Sequence, residues 1–116
     1  SHGDDPDEPE ALYPLTALAR EVTEVNVASG LDPVTPEAWE EARVIPALLA
    51  GLQSEVAEAL HAWRDDNPDD FAEELADVVI RTLYIAHGLG INLDDEVYAK
   101  VAHNRERGYR RGERRV

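Results

Sequence analysis

The sequence has 116 residues, a net charge of −14 and no cysteine. That length supports one domain with one core, and the missing cysteines exclude disulfides and thiolate metal sites, as fits a reducing cytosol. No apolar run approaches the roughly 18 residues of a membrane span, and no signal-peptide core is visible. The charge is uneven: residues 1–99 carry 23 acidic side chains against four arginines, whereas residues 100–116 carry seven basic against two acidic. The acidic body argues against binding a nucleic-acid polymer, and the basic end suits a small anion held through a metal.

Residues 1–9 are acidic and proline-rich with nothing apolar to bury, which predicts a flexible N-terminus; Ser1-His2-Gly3 reads as a cloning remnant. From about Glu10 to Ala28, Leu12, Leu15, Leu18, Val22 and Val25 follow helical spacing, with Pro14 in the first turn and Ser29-Gly30 as the stop. Thr35-Pro36-Glu37 predicts a short helix carrying Trp39, either a core or lid residue or a surface on which a base stacks. A helix from about Ile45 to Arg64 shows an apolar stripe of Ile45, Leu49, Leu52, Val56, Leu60 and Trp63. Asn67-Pro68 breaks it, and Asp69 is placed to cap the next helix, 69–88. That helix has one stripe of Phe71, Leu75, Val78, Thr82 and Ile85, and a second apolar side of Ala72, Ala76, Val79, Ile80 and Leu83. Gly88-Leu89-Gly90 ends it. Asn92 or Asp94 starts a last helix, about 94–107, with Lys100, Asn104 and Arg107 on one face, and a basic tail occupies 109–116.

The expected fold is therefore all-α, four helices over residues 10–108. A helix apolar nearly all round needs cover on both sides, which predicts a homodimer or a dimer of dimers. Glu55 and Glu58 border the stripe of one helix, and Glu74, Asp77 and Arg81 border that of the next. Carboxylates three apart on a helix sit about 60° apart around its axis, so each pair points one way. A single such pair is usually a solvated face. Two pairs beside apolar stripes in consecutive helices place four carboxylates together if the helices form a hairpin. Their repulsion calls for cations, and hard oxygen ligands suit Mg²⁺ or Mn²⁺.

E-x-x-E over 55–58 followed by E-x-x-D over 74–77 resembles the MazG-type all-α nucleoside triphosphate pyrophosphohydrolases. L-x-S-E-V-A-E-A-L, E-E-L-A-D-V-V-I-R and K-V-A-H-N-R-E-R-G-Y-R-R-G are similar to the short, single-domain MazG-like branch, over roughly residues 44–112. The resemblance implies a four-helix MazG-type bundle completed by oligomerisation, Mg²⁺-dependent (Mn²⁺ substituting), releasing nucleoside monophosphate and pyrophosphate in nucleotide-pool house-cleaning. Carried over by position, Glu55, Glu58, Glu74 and Asp77 are metal ligands, one glutamate also positioning the water. Lys100, Asn104 and Arg107 contact phosphate. Arg81, beside the carboxylates, and Trp39 are further candidate substrate contacts read from their own positions and not from the resemblance. Tyr109 and Arg110 match the family's R-P-Y-R ending, with Gly108 where proline is usual.

Three other readings compete, one of them a nucleic-acid mimic, which explains the acidity alone but needs neither carboxylates beside the core nor a basic end. Glu58-x-x-His61 is half of a di-iron motif, but the chain has no second copy. A non-catalytic acidic helical interaction module accounts for acidity and apolar surface, but not for Lys100, Asn104 and Arg107. Metal-dependent pyrophosphate release separates them.

Overall fold

The computed structural model describes residues 12–115, with side chains through Gly108. The described residues form four α-helices and no strand: α1 (Pro14–Ala28), α2 (Val44–Arg64), α3 (Pro68–Gly88) and α4 (Leu93–Arg115), with a 3₁₀ helix at Pro36–Glu40. The fold is all-α, as expected. The flexible segment expected at 1–9 lies outside the described residues.

Turn chemistry sets the boundaries. Pro14 and Pro68 each occupy the first turn of their helix, where the missing N–H costs nothing. Because Pro68 starts α3, the cap falls earlier than the Asp69 reading: the Asp70 amide donates to Asn67 Oδ1 at 3.1 Å. Likewise the Asp95 amide donates to Asn92 Oδ1 at 3.1 Å, so Asn92 caps α4. Helices α1, α2 and α3 all end in the same paired bonds. After α2, the Asn67 amide reaches the Ala62 carbonyl and the Asp66 amide reaches that of Trp63. The left-handed position is Gly30 after α1 and Gly90 after α3, but after α2 it is Asp66, with φ 53°. Helix α4 continues through Gly108 to Arg115, where the sequence reading places a tail; arginine and glutamate are good helix formers.

With Asn92 as the cap, Asp94 is free to serve another helix. Tyr13, at the cap position of α1, does not cap the helix with its side chain. Asp94 accepts instead from the Leu15 and Thr16 amides at 2.9 and 2.8 Å and from Thr16 Oγ1 at 2.6 Å. One carboxylate thus caps α1 and ties it to the start of α4. Burial pushes its pKa upward, but these hydrogen bonds prevail and hold it below the ordinary aspartate value.

Helices α2 and α3 form the antiparallel hairpin, and α1 packs on α3. Among the described residues the buried apolar ones are Ala19, Ala38, Ala59, Ala62, Leu83, Tyr84 and Ala86, five of the seven being alanine, so the core is thin. Ala59 and Ala62 repeat with Gly51 and Glu55 on one helical face, which α2 turns toward α3. Its large stripe points elsewhere: Leu49, Val56, Leu60 and Trp63 are exposed, as are Leu75 and Val79 of α3. Small side chains let the two backbones approach, whereas the large ones are left uncovered by the described residues. The upper half of α3 is better sheltered. Tyr84 Oη donates to the Asp32 carbonyl, and a Cβ on Gly88 would lie 2.3 Å from Val34 Cβ, so the linker after α1 is clamped to the end of α3.

Candidate metal centre

The hairpin brings the carboxylates together because Glu55 lies on the small-residue face of α2. Its residue exposure is 9 %, the lowest of any charged residue among those described. Glu58 follows one turn on, more exposed, and Glu74 reaches in half-buried from α3. One oxygen from each of Glu55, Glu58 and Glu74 lies within 4.8 Å of the other two. Arg81, two turns beyond Glu74 on α3, donates from Nε to Glu55 Oε1 at 3.1 Å. Gly51 makes room for it, since a Cβ there would stand 2.6 Å from Arg81 Nη1.

One guanidinium does not balance three carboxylates. Glu74 Oε2 is buried and meets no donor among the described residues. Without a cation, the only relief is a proton shared with its neighbours. Hydrogen bonding to Glu55 and Glu58, then burial and their charge, raise the Glu74 pKa to about 7. Glu55 is the other half of the arrangement: the hydrogen bond with Glu74 and the Arg81 guanidinium outweigh burial and lower its pKa. An unpartnered buried oxygen among three hard oxygen donors fits a small divalent cation such as Mg²⁺ or Mn²⁺.

Of the four acids read from the sequence as ligands, three converge. Asp77 is outside this trio; it lines, with Glu55 and Arg81, an adjoining cavity of about 320 Å³. Lys100, Asn104 and Arg107 are exposed on α4, which packs against α1, and none is engaged with another described side chain. Trp39 is 71 % exposed on the 3₁₀ helix and belongs to neither the trio nor the adjoining cavity. The side chains of Tyr109 and Arg110 lie outside those described. His61 is exposed and lines a shallow acidic cleft with Glu58 and Glu74, but it is not a member of the trio. Sequence reasoning missed Asn26 and Tyr84, which line the same cavity from α1 and α3, and the capping role of Asp94. Only the polar break between Val25 and Val27 in α1 hints at Asn26.

Comparisons with curated proteins and with solved structures gave no match. The sequence model of the MazG-like family matches residues 40–114. This span takes in α2, α3 and nearly all of α4, hence the three converging glutamates, Asp77, Arg81 and the Lys100–Arg107 face. With more than half of the sequence inside the match, including the whole hairpin that builds the carboxylate cluster, the chain belongs to the MazG-like family.

Proposed function

We propose that the protein is a Mg²⁺-dependent nucleoside triphosphate pyrophosphohydrolase, acting on the cytoplasmic nucleotide pool and releasing nucleoside monophosphate and pyrophosphate. The observation that carries this reading is the unpartnered Glu74 Oε2 within the Glu55, Glu58 and Glu74 cluster, in a chain of the MazG-like family. A bound divalent cation there would neutralise phosphate oxygens and make an attacking water more acidic. Glu55, Glu58 and Glu74 would hold it, and Asp77, three residues past Glu74, would add a fourth carboxylate. Arg81 fixes the Glu55 carboxylate in place through its 3.1 Å bond. One glutamate accepts a proton from water as its oxygen bonds to the α-phosphorus and the α–β anhydride bond breaks. Lys100, Asn104 and Arg107 meet the β- and γ-phosphates, where leaving pyrophosphate gathers charge.

A second copy of the chain completes the fold in this reading. Leu49, Val56, Leu60 and Trp63 of α2 and Leu75 and Val79 of α3 are all exposed on the packed hairpin. That apolar surface around a thin core is what a homodimer, or a dimer of dimers, would cover.

The test is hydrolysis of nucleoside triphosphates in ¹⁸O-labelled water with and without Mg²⁺. Label should appear in the monophosphate and none in pyrophosphate, and activity should vanish without the cation. Lys100→Ala should lower turnover as well as affinity, since the charge it meets grows in the transition state. Label in orthophosphate, with diphosphate as co-product, would mean attack at the γ-phosphorus. No release from any triphosphate would leave the acidic interaction module as the better reading.

A further inference from the structure

The cavity beside the carboxylates contains a polar group that the proposed chemistry does not use. Its walls are Leu31 from the linker, Leu48 of α2, and Ile80, Tyr84 and Ile85 of α3; α1 contributes Asn26. Glu55, Asp77 and Arg81 border the same space, so it opens directly onto the proposed metal centre.

Three polar atoms of that lining are already engaged, and Asp77 and the rest of Glu55 and Arg81 offer acceptors alone or donors alone. Arg81 Nε holds Glu55, and Tyr84 Oη donates to the Asp32 carbonyl, leaving the tyrosine ring as wall. The Asn26 carbonyl of the main chain accepts the bonds that end α1. Its side-chain carboxamide has no partner among the described residues. It is thus the group in this lining that offers an unspent donor and an unspent acceptor side by side.

That pairing is the complement of a nucleobase edge. Each common base carries an adjacent donor and acceptor, but their order differs: an amino donor beside a ring-nitrogen acceptor in adenine and cytosine, a carbonyl acceptor beside a ring N–H in guanine and uracil. An asparagine carboxamide of fixed orientation matches one order through two parallel hydrogen bonds, and the size of the cavity then separates purine from pyrimidine. The apolar walls suit the flat faces of a ring. At about 320 Å³ the cavity is at the small end for ligand sites, enough for a base with its sugar. The phosphates would remain at the acidic border, where a divalent cation is wanted.

We propose that Asn26 reads the base of the nucleotide and is the specificity-determining residue of the site. This rests on the nucleotide reading above but is separable from it. Two parallel hydrogen bonds to the right base discriminate by about tenfold to a hundredfold, and a site that loses them loses that margin.

Two measurements test the assignment on wild type, Asn26→Leu and Asn26→Gln, with circular dichroism confirming that each variant keeps its helices. The first is kcat/KM for the four common nucleoside triphosphates with Mg²⁺. Wild type should prefer one base. Asn26→Leu should raise KM for that substrate about tenfold to a hundredfold with little change in kcat, and should level the preference. Asn26→Gln, whose carboxamide is displaced by one methylene, should fall between. The second is titration of the metal-free protein with cytidine, uridine, adenosine and guanosine, following the Asn26 side-chain amide by NMR. The preferred nucleoside should shift that signal in the wild type and bind more weakly to Asn26→Leu. Equal kcat/KM for all four bases in the wild type, or an unchanged preference in Asn26→Leu, would overturn the proposal. That second result, with pyrophosphate still released, would leave the hydrolase reading intact. Nucleoside binding at Asn26 without hydrolysis of any triphosphate would do the opposite, upholding the base site and removing the hydrolase reading.

Discussion

Raising the pH from 6 to 8 should tighten divalent-cation binding about tenfold, because the cation and a proton compete for Glu74. In the metal-free protein that carboxyl has a pKa of about 7, held up by its hydrogen bonds to Glu55 and Glu58, by burial and by their charge. At pH 6 about nine molecules in ten carry the proton and must lose it on binding; at pH 8 about one in ten does. The ratio of competent fractions gives the tenfold change. Calorimetry with Mn²⁺ in two buffers of different ionisation enthalpy reads both affinity and protons released. Release should fall from roughly one proton per cation at pH 6 toward none at pH 8. Glu74→Gln should bind weakly at both values and lose the slope. The same shift sets a stability signature. A carboxyl whose folded pKa lies above its unfolded value of 4.5 contributes stability that is full below pH 4.5 and lost as the pH rises through about 7. Glu74→Gln should therefore stabilise the metal-free protein relative to wild type above pH 7, and the advantage should disappear toward pH 4. Affinity independent of pH between 6 and 8, with no proton release, would refute the shared-proton arrangement and with it the reason for placing the cation at Glu74.

Three further outcomes are expected. Asp94→Ala should lower stability by about 1–2 kcal/mol in urea denaturation, the range for a lost helix cap. The deficit should shrink as the pH falls below 3.8 through the lowered folded pKa, since protonated Asp94 no longer accepts all three bonds; a change under about 0.3 kcal/mol at pH 7 would mean α1 does not need this cap. Asp66→Gly should raise stability by about 0.5–1 kcal/mol by relieving a side chain at φ 53°, and a loss of stability would show that Asp66 does more than end α2. Leu60→Asp should break a dimer that otherwise survives nanomolar dilution in sedimentation, whereas a stable wild-type monomer there would remove the second copy from the fold.

Much of the site was legible because its two halves are local. Glu55 and Glu58 are three apart on one helix, Glu74 and Asp77 three apart on the next, and Asn67-Pro68 makes the turn that sets them side by side. Spacing could not tell that Asp77 stands outside the trio at the adjoining cavity, because that depends on how α3 is rotated against α2. The large stripe of α2 was readable as a stripe, yet what it faces was not. Leu49, Val56, Leu60 and Trp63 have the stronger apolar signal, but Gly51, Ala59 and Ala62 are the face that meets α3.

Local sequence was enough to set the helices, the stops of α1, α2 and α3 and the pairing of acids on neighbouring faces, though not the end of α4, since periodicity, proline and glycine act over a few residues whatever surrounds them. Packing of the whole chain was needed for Asp94 to cap a helix 78 residues earlier, for Tyr84 to fasten the linker at Asp32, and for Asn26 to border the same cavity as Glu55. Packing also leaves Glu74 with an unpartnered oxygen inside the hairpin. These are choices of helix rotation and approach. They follow from which faces pack closely when all the helices meet, and no stretch of sequence contains both sides of that contact.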